Sequence, residues 1–488
     1  MTIHKFVILI FSVAVFITML SVFWDYSIDD AYITFTYAEN LADGHGLVFN
    51  IGDKPVEGYS NFLWMILLSG LYYVGLSTYL TAKILGVVFV ALTVILWFNY
   101  FRPISEDYTW LAGLLFLLSP VTAFWAVSGL ELGLHLFLVS GAFITVIKRS
   151  KWALLFLSLL VLNRPEGVAI ALVLVILSAT IDWYKKSLSR KEILRNLIII
   201  IAAAAFITAL RIIVFGYPFP NTFYAKSVDA DYGYDQLIDM SFYFLPLTLL
   251  FLMGIWKTIK SKLQNREMVI ASILFGVQAI ISSLVNPIMN FHFRYMIPFL
   301  PLFMIVGFAA LNYFKSKRII WLMIIISAIS LFSPFSGVYK RYAEELKIME
   351  AQNNLTIWLN HMPEIETVSL TDVGRIPYYT DKYYYDIWGL VSEDIAHKGF
   401  NPLEEYLRFP DCFIFVGHKE NNSFNLSFGK ERLISKCRGM SKTYEYAGMS
   451  MPFNADSTRQ DYYYIRLLKN EQAVDSLMQD FPIEINGR

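Results

Sequence analysis

The residues from Lys5 to Phe23, KFVILIFSVAVFITMLSVF, form an apolar run, and the sequence SIDDAYITFTYAENL follows at 27–41. The run is long enough to cross the roughly 30 Å hydrocarbon core of a bilayer. The flank Trp24-Asp25-Tyr26 lacks the small residues of a signal-peptide cleavage site, so we predict an uncleaved first span. The composition agrees: 56% of the 488 residues are hydrophobic, 16% are charged and the mean hydropathy is +0.50. The sequence therefore predicts a polytopic membrane protein.

Charge balance gives no indication of a nucleic-acid partner, because 40 Lys and Arg residues balance 40 Asp and Glu residues. The placement of the charges is more informative. Four basic clusters, at 148–151, 185–195, 257–266 and 315–318, are predicted to be cytoplasmic by the positive-inside rule. The predicted spans are 5–23, 83–101, 109–121, 130–147, 152–163, 167–183, 195–214, 241–256, 268–286, 294–313 and 319–337.

A further apolar run, 62–78, is ambiguous. Counted as a span, it would place the cluster 148–151 and all later clusters outside the cytoplasm, whereas an interfacial run keeps all four inside. We therefore predict about 11 transmembrane helices in an all-α bundle, with a cytoplasmic N-terminus in the plasma (inner) membrane. The segments 24–61, 122–129, 163–167, 215–240 and 287–293 are then extracytoplasmic, as is the chain after about 338.

The C-terminal part has no long apolar runs and contains short strand-like pieces at 412–416 and 462–467. We predict two domains: 1–337 is a transmembrane domain whose first loop is 24–61, and 338–488 is a small extracytoplasmic α/β domain. The two cysteines of the chain, Cys412 and Cys437, lie in the second domain, on the side of the membrane where disulfides persist. The sequence leaves open whether they are bridged or are free thiols.

Ionisable residues of the membrane part collect on the predicted extracytoplasmic side. Asp29 and Asp30 begin an amphipathic helix, where one carboxylate would suffice as a cap, so the adjacent pair indicates binding or catalysis. Arg294 and Lys226 are candidate cations for a phosphate group. Arg164 and Glu166 are either substrate contacts or an internal ion pair. The other candidate binding residues are Tyr32, His45, Glu57, Tyr59, Glu131, Asn221, His292 and Asp372.

Several motifs, in this order, resemble the GT-C class of membrane glycosyltransferases, and within it the branch of the mycobacterial terminal arabinofuranosyltransferase. The resemblance spans about 27 to 395. Its motifs are 29–33 (DDAYI), 44–50 (GHGLVFN), 56–61 (VEGYSN), 129–131 (GLE), 164–167 (RPEG), 220–226 (PNTFYAK), 294–295 (RY), 372–374 (DVG) and 376–379 (IPYY).

This resemblance implies an inverting transfer of a hexose or pentose from a polyprenyl-phosphate donor to an envelope glycan, glycolipid or protein acceptor. It implies that a first-loop carboxylate, Asp29 or Asp30, is the general base that deprotonates the acceptor hydroxyl. The sequence does not decide between the two. No cofactor is required by the pattern, and a divalent cation, Mg²⁺ or Mn²⁺, stays open, because no histidine or third carboxylate adjoins the pair.

Two other classes of protein remain as alternatives. A transporter or flippase of a polyprenyl-linked sugar should contain internal repeats with paired broken helices, and the Asp29-Asp30 loop has no second copy in the sequence. A scaffolding subunit of an envelope complex would not need the ionisable cluster, and its activity would survive replacement of either aspartate.

Overall fold

The computed structural model describes residues 3–101, 108–187, 189–227, 234–261, 265–284, 291–420, 423–426, 429–437, 440–450 and 462–472. Parts of three predicted extracytoplasmic segments, 228–233, 287–290 and the terminal residues 473–488, lie outside this description. The chain forms two compact units. The first comprises 1–28, 60–219 and 226–341, and the second comprises 29–59, 220–225 and 342–488.

The first unit is helical. Its α-helices are α1 (Ile3–Phe23), α3 (Phe62–Tyr73), α4 (Thr78–Phe101), α5 (Ala112–Leu115), α6 (Pro120–Ala126), α7 (Leu132–Ile147), α8 (Ala153–Asn163), α9 (Gly167–Tyr184), α10 (Arg190–Phe215), α12 (Tyr234–Tyr243), α13 (Leu245–Lys260), α14 (Arg266–Ser283), α15 (Leu300–Ala309) and α16 (Lys317–Phe332). Short 3₁₀ helices occur at Tyr108–Leu111, Phe116–Leu118, Phe291–Phe293, Ile297–Phe299 and Ala310–Tyr313. Gly86 and Gly133 let α4 and α7 approach closely, because a Cβ on Gly133 would overlap the Gly86 carbonyl oxygen.

Within the described residues, six helices are long and apolar enough to cross a membrane, or up to eight if each of two bent helix pairs is one span. These lengths and compositions are those of an integral membrane protein. Eight of the eleven predicted runs fall on these helices and bent pairs. The other three, 130–147, 152–163 and 294–313, fall on shorter apolar helices of 10–17 residues.

The ambiguous run 62–78 forms α3, which has 12 residues. At about 1.5 Å per residue this helix is about 18 Å long and is shorter than the hydrocarbon core. Its length agrees with the predicted interfacial placement. Helix α8, which is predicted as a span, has only 11 residues. Length alone therefore does not distinguish a spanning helix from an interfacial one in this chain.

The second unit is an α/β domain that includes most of the first loop. Its helices are α2 (Asp29–Ala42), α18 (Arg375–Tyr378), α19 (Glu393–Lys398), α20 (Pro402–Leu407), α21 (Gly429–Ser435) and α22 (Met440–Thr443). Two further helices, α11 (Asn221–Ser227) and α17 (Phe335–Asn360), each contribute residues to both units. The strands are β1 (Thr367–Leu370), β2 (Tyr383–Asp386), β3 (Cys412–Glu420), β4 (Ser423–Leu426), β5 (Tyr444–Met449) and β6 (Tyr462–Lys469).

The six strands form one mixed sheet in the order β2-β1-β3-β6-β5, with β4 paired to β3. Strands β2, β1 and β3 are parallel, whereas β4, β5 and β6 pair antiparallel. The strands predicted at 412–416 and 462–467 are therefore confirmed as β3 and β6. A core of buried aromatic and aliphatic side chains packs here: Ile387, Tyr406, Phe409, Phe413, Phe415, Ile434, Met440 and Tyr444.

The boundary at Arg341 and Tyr342 lies close to the predicted boundary at 337. Residues 29–59 and 220–225 belong to the second unit, whereas the sequence prediction placed them in the transmembrane domain. Cys412 is buried, Cys437 is half-buried, and both are free thiols. Of the two alternatives left by the sequence, the structure contains the unbridged one.

Candidate active site

Helix α2 begins at Asp29, whose carboxylate is bound by the C-terminal domain. Its Oδ2 accepts a hydrogen bond from the backbone N–H of Gly374 at 3.0 Å, and its Oδ1 accepts one from the N–H of Arg375 at 2.8 Å. The side-chain amide of Gln352 donates a third, to Oδ1, at 3.1 Å. Asp29 therefore fixes the start of the first-loop helix against residues more than 300 positions away.

The residues that receive Asp29 lie directly after the carboxyl end of β1. Strand β1 lies between the two other parallel strands. It pairs with β2 on one side and with β3 on the other. The carboxyl end of such a strand opens a crevice where α/β folds commonly bind ligands. Here the segment from Thr371 to Gly374 leaves this end, and the N–H groups of Gly374 and Arg375 bind Asp29 at the N-terminus of α2.

Asp372 is hydrogen-bonded next to Asp29. The hydroxyl of Tyr464 on β6 donates to Asp372 Oδ2, and Gln352 Nε2 donates to the Tyr464 hydroxyl oxygen at 3.2 Å. Burial and the neighbouring Asp372 carboxylate raise the pKa of Asp29 to about 8, although the hydrogen bonds from Arg375 and Gly374 lower it. Burial also raises the pKa of Asp372. Asp29 and Asp372 are thus connected by a chain of hydrogen bonds through Gln352 and Tyr464.

Asp30 differs from its neighbour. It is half-buried in the first turn of α2, and its side chain has no hydrogen-bond or ion-pair partner within the described part of the chain. Its charge contributes to the raised pKa values of Asp29 and Asp372. The two carboxylates that the sequence treats alike are thus distinct: one is bound on both oxygens and the other is open to a hydroxyl donor.

Tyr32, predicted as a binding residue, is fully buried one turn further along α2. Its hydroxyl accepts a hydrogen bond from Arg375, whose guanidinium also lies 5.0 Å from the centre of the Tyr32 ring. Arg375 Nε donates to Asn353 Oδ1 at 2.8 Å. Tyr32 and Arg375 therefore hold α2 and α18 together below the aspartates.

The remaining first-loop candidates have different surroundings. The side-chain amide of Asn221 donates to the carbonyl oxygens of Gly389 and Leu390, each at 2.9 Å, and its backbone N–H donates to the Glu57 carbonyl oxygen at 3.0 Å. Asn221 thereby ties α11 to the first loop and to the segment after β2.

Tyr59 is buried, and its ring lies edge-on to Tyr37 with 4.9 Å between the ring centres. His45 is exposed, on a turn where Gly44 and Gly46 have φ of 85° and 89°, values that favour glycine. The structure does not bring His45 to the aspartates by any described contact.

A second polar cluster lies in the helical unit. Buried Glu131, which precedes α7, forms ion pairs with Arg164 and Arg294, and its distance to Arg294 Nη2 is 3.7 Å. The Asn61 side chain donates to Glu131 Oε2 at 2.8 Å, and Arg164 also pairs with Glu166. The ion pair that was one of the alternatives for Arg164 and Glu166 is therefore present.

A small cavity opens at this cluster, with a lining that includes Glu131, His135, Arg164, Arg294 and Tyr295. The guanidinium of Arg294 also lies 5.2 Å from the centre of the Trp125 ring. Glu131 and Glu166 pair with Arg164 and Arg294, so the formal charges of these four side chains sum to zero.

Lys226 and His292 are not joined to this cluster by any contact in the described residues. Lys226 is half-buried in the last turn of α11 and has no hydrogen bond or ion pair with a described residue. His292 is half-buried with a φ of 51°, and its ring lies edge-on to Phe124 with 6.2 Å between centres.

The next question is whether the described residues could hold a metal ion. They contain no group of three or more His, Cys, Asp or Glu side chains arranged to hold a metal ion. Both oxygens of Asp29 already accept hydrogen bonds from Gly374, Arg375 and Gln352. A hard divalent cation needs about six oxygen ligands, so it would depend on waters and substrate oxygens here.

The sequence did not identify Gln352, Arg375 and Tyr464 as functional residues. Arg375 directly follows the quoted Asp372-Val373-Gly374 motif, so its position was a usable signal. Gln352 on α17 and Tyr464 on β6 carry no such signal, because only the folded sheet brings them to Asp29.

Comparison with known proteins defines the class of fold. The apolar helices and the C-terminal sheet match the fold of solved ArnT structures, which confirms the predicted GT-C-like fold class. The similar solved structures include two of ArnT from Cupriavidus metallidurans, one bound to undecaprenyl phosphate (TM-score 0.59) and one in the apo state (TM-score 0.57). Each shares 12% identity and covers 94% of this chain and 97% of the other chain.

Two sequence comparisons add little beyond the fold. Residues 341–466 match a family described as Domain of unknown function (DUF8728). No curated protein matches the chain. The arabinofuranosyltransferase branch expected from the motifs remains a prediction.

Proposed function

We propose that this chain is a membrane glycosyltransferase that moves a sugar from a polyprenyl-phosphate donor to an envelope glycan, glycolipid or protein on the extracytoplasmic face of the plasma membrane. The observation that carries the proposal is the fold, which matches 97% of the length of a protein whose structure holds undecaprenyl phosphate. The C-terminal domain, which follows the last predicted span, is then also extracytoplasmic.

Asp30 is the proposed general base. A base must reach the proton of the acceptor hydroxyl, and the Asp30 carboxylate is open to a donor, whereas Asp29 is bound by Gly374, Arg375 and Gln352. Asp30 takes the proton while the acceptor oxygen attacks the anomeric carbon, and the bond from that carbon to the lipid phosphate oxygen breaks. The departing phosphate keeps the bonding electrons, and the configuration at the anomeric carbon inverts because the acceptor attacks the face opposite to the phosphate.

Asp29 is a positioning residue in this proposal. Its three hydrogen bonds fix the first turn of α2, and this turn carries Asp30. A base held within a few tenths of an ångström contributes more than a mobile one, because catalysis depends on the reacting geometry. Asp372 and Tyr464 support Asp29 through Gln352.

Lys226 and Arg294 are the proposed contacts of the donor phosphate. Lys226 has no ion pair with a described residue, and the planar guanidinium of Arg294 matches phosphate oxygens. Arg164 is bound to both Glu131 and Glu166, so we assign it to orienting Glu131 rather than to the donor. No step of the proposal passes through a metal; transfer after EDTA treatment, with and without added Mg²⁺ or Mn²⁺, tests whether one is needed.

The test compares purified wild-type protein with Asp30→Asn and Asp29→Asn on a set of polyprenyl-phosphate sugars and envelope acceptors. We expect Asp30→Asn to lower kcat by about 10²–10⁴ without lowering the melting temperature, as expected for loss of a general base. Asp29→Asn should lower activity, because an amide nitrogen cannot accept the hydrogen bonds that fix the first turn of α2. Asp25→Asn is the matched control, because Asp25 is an exposed carboxylate on the same N-terminal part of the chain.

Full activity of Asp30→Asn would contradict the assignment of the base. Movement of the lipid-linked sugar across vesicles with no transfer to any acceptor would instead favour the flippase alternative. The substrate is found by mass spectrometry of envelope glycans from cells that lack the protein, where one sugar residue should be missing.

A further inference from the structure

A second concave site lies in the α/β unit, away from Asp29, Asp30 and Asp372. It is a cavity of about 160 Å³ where the first-loop segment 49–56 meets β2 and α20. A cavity of this size holds several water molecules, or a single sugar ring in their place. None of the three aspartates of the candidate active site lines it.

Glu405 on α20 supplies a buried acceptor to this cavity. Its side chain is 3% exposed, and Oε2 lies 3.1 Å from Arg408 Nε without forming a hydrogen bond. Burial raises the pKa of Glu405 to about 7, although Arg408 lowers it. The Arg408 ion pair compensates part of this burial, and the carboxyl group keeps acceptor capacity for a hydroxyl donor in the cavity.

Asp386 and two tyrosines extend the same wall. Asp386 is buried and accepts backbone hydrogen bonds from Trp388 and Val391, which use only part of its acceptor capacity. Tyr383 and Tyr385 lie side by side with 5.0 Å between ring centres, and both are half-buried. The Tyr385 hydroxyl makes no hydrogen bond to a described residue.

The charged side chains that line the cavity indicate which class of ligand it can bind. Five acidic and two basic side chains line the cavity, and Lys54 is already paired with Glu393 at 2.8 Å. Anionic groups such as phosphate or a uronic acid are therefore repelled. Hydroxyl groups are suited to the cavity, because they donate strong hydrogen bonds to carboxylates. The apolar C–H face of a sugar ring can pack on a tyrosine ring.

We propose that this cavity binds an uncharged sugar residue of a glycan, with its hydroxyls on Glu405 and Asp386 and its ring against Tyr385. It is a binding site additional to the reaction centre. Only one part of this inference rests on the proposed function: that the glycan is the acceptor, held by the α/β domain while its end is extended elsewhere.

The test measures binding, not transfer. Methyl glycosides of mannose, galactose, glucose and arabinofuranose are titrated into the full-length purified protein, with saturation-transfer NMR as the readout, and methyl glucuronide is the anionic comparison. At least one neutral glycoside should bind in the millimolar range and at least about tenfold more tightly than the glucuronide, a ratio equal to about 1.4 kcal/mol.

The variants Glu405→Gln and Tyr385→Ala should weaken binding of that glycoside by about tenfold and at least about threefold, respectively. Glu404→Gln is the matched control, because Glu404 is exposed on the same helix and does not line the cavity. Tyr385 is half-buried, so its variant keeps the test valid if Glu405→Gln fails to fold.

Three results would overturn the inference: no neutral glycoside binds, the glucuronide binds as tightly, or neither variant weakens binding. Asp30→Asn should bind the glycoside as the wild type does. Retained binding with no transfer to any acceptor by the wild type would contradict the proposed function alone, so the two failures are distinguishable.

Discussion

The carboxylate of Asp29 occupies the space that a side chain at Gly374 would need. A Cβ placed on Gly374 would overlap the backbone oxygen and the carboxylate of Asp29. The same glycine donates its N–H to that carboxylate at 3.0 Å. The glycine thus permits the close approach that holds the first turn of α2, and so holds Asp30, in place.

Gly374→Ala should therefore abolish most of the transfer activity and lower stability by about 1–3 kcal/mol, as overpacking of a tight contact does. The nearest atom is the backbone oxygen of Asp29, which cannot move aside as the end of a flexible side chain can. Melting temperature and transfer rate are the measurements. Gly429→Ala is the control, since a Cβ on Gly429 meets no atom within 4 Å, and a near-normal rate in Gly374→Ala would contradict the role of the contact.

Stability should depend on pH through Asp29. Its pKa is about 8 in the folded protein against 3.8 as the ordinary value, so between these values the folded state holds a proton that the unfolded state has lost. Stability therefore falls as pH rises from about 4 to about 8, by at most about 1.4 kcal/mol per pH unit for one proton. Below and above this window Asp29 contributes no slope.

Thermal melting of the detergent-solubilised protein between pH 4 and pH 9 measures this dependence. The Asp29→Asn variant should show a flatter profile in the window, because its amide does not titrate. An unchanged slope in that variant would assign the dependence to other groups, such as Glu405, whose pKa of about 7 also favours the protonated form.

The sequence predicted the elements of this fold better than their contacts. Hydrophobic runs determine which segments enter a bilayer, and within the described residues each of the eleven predicted runs lies mostly on helices. The strand at 412–416 was recognisable because it consists of apolar and aromatic residues. In contrast, the hydrogen bond from Gly374 to Asp29 joins residues 345 positions apart, and no local pattern in one sequence encodes such a pairing.

The same limit explains why the two aspartates could not be separated from the sequence. Asp29 and Asp30 have identical chemistry and adjacent positions, and they differ only in what the folded C-terminal domain presents to each. Glu405 was missed for another reason: on the sequence it is one of two adjacent acids, Glu404 and Glu405, in a short polar helix. Only packing of α20 against the sheet buries the second of them.

Removal of the charge of Glu131 should destabilise the helical unit. Glu131→Gln leaves Arg164 and Arg294 with less compensation in a buried site, which costs about 3–5 kcal/mol when one partner of a buried pair is lost. Glu364→Gln, at an exposed position, should stay within about 0.5 kcal/mol of the wild type. Melting of the two variants in the same detergent measures the difference.

The double variant Glu131→Leu with Arg164→Met tests the cause. It removes both charges together, so it should be less destabilised than the two single changes added. Strict additivity would show that Glu131 and Arg164 act independently, against the ion pair in the structure.

Lys226→Gln should raise the KM for the polyprenyl-phosphate donor by about tenfold and leave kcat nearly unchanged. The reason is that a phosphate contact of equal strength in the ground state and transition state affects binding alone. Lys151→Gln provides the control, because Lys151 is an exposed lysine of the basic cluster predicted to be cytoplasmic. A loss confined to kcat, or no change at all, would remove Lys226 from the donor site.

The sidedness of the molecule can be measured at Cys437. This thiol is half-buried, and burial raises its pKa, so a membrane-impermeant maleimide should label it slowly but measurably at pH 8. Cys412 is fully buried and should react only after denaturation. If the C-terminal domain is extracytoplasmic, Cys437 is labelled in intact spheroplasts.

In a Cys437→Ser background, Lys151→Cys should be labelled only after permeabilisation, because the basic cluster 148–151 is predicted to be cytoplasmic. The opposite order of labelling would invert the orientation and remove Asp30 from the extracytoplasmic face, where the proposed acceptors lie.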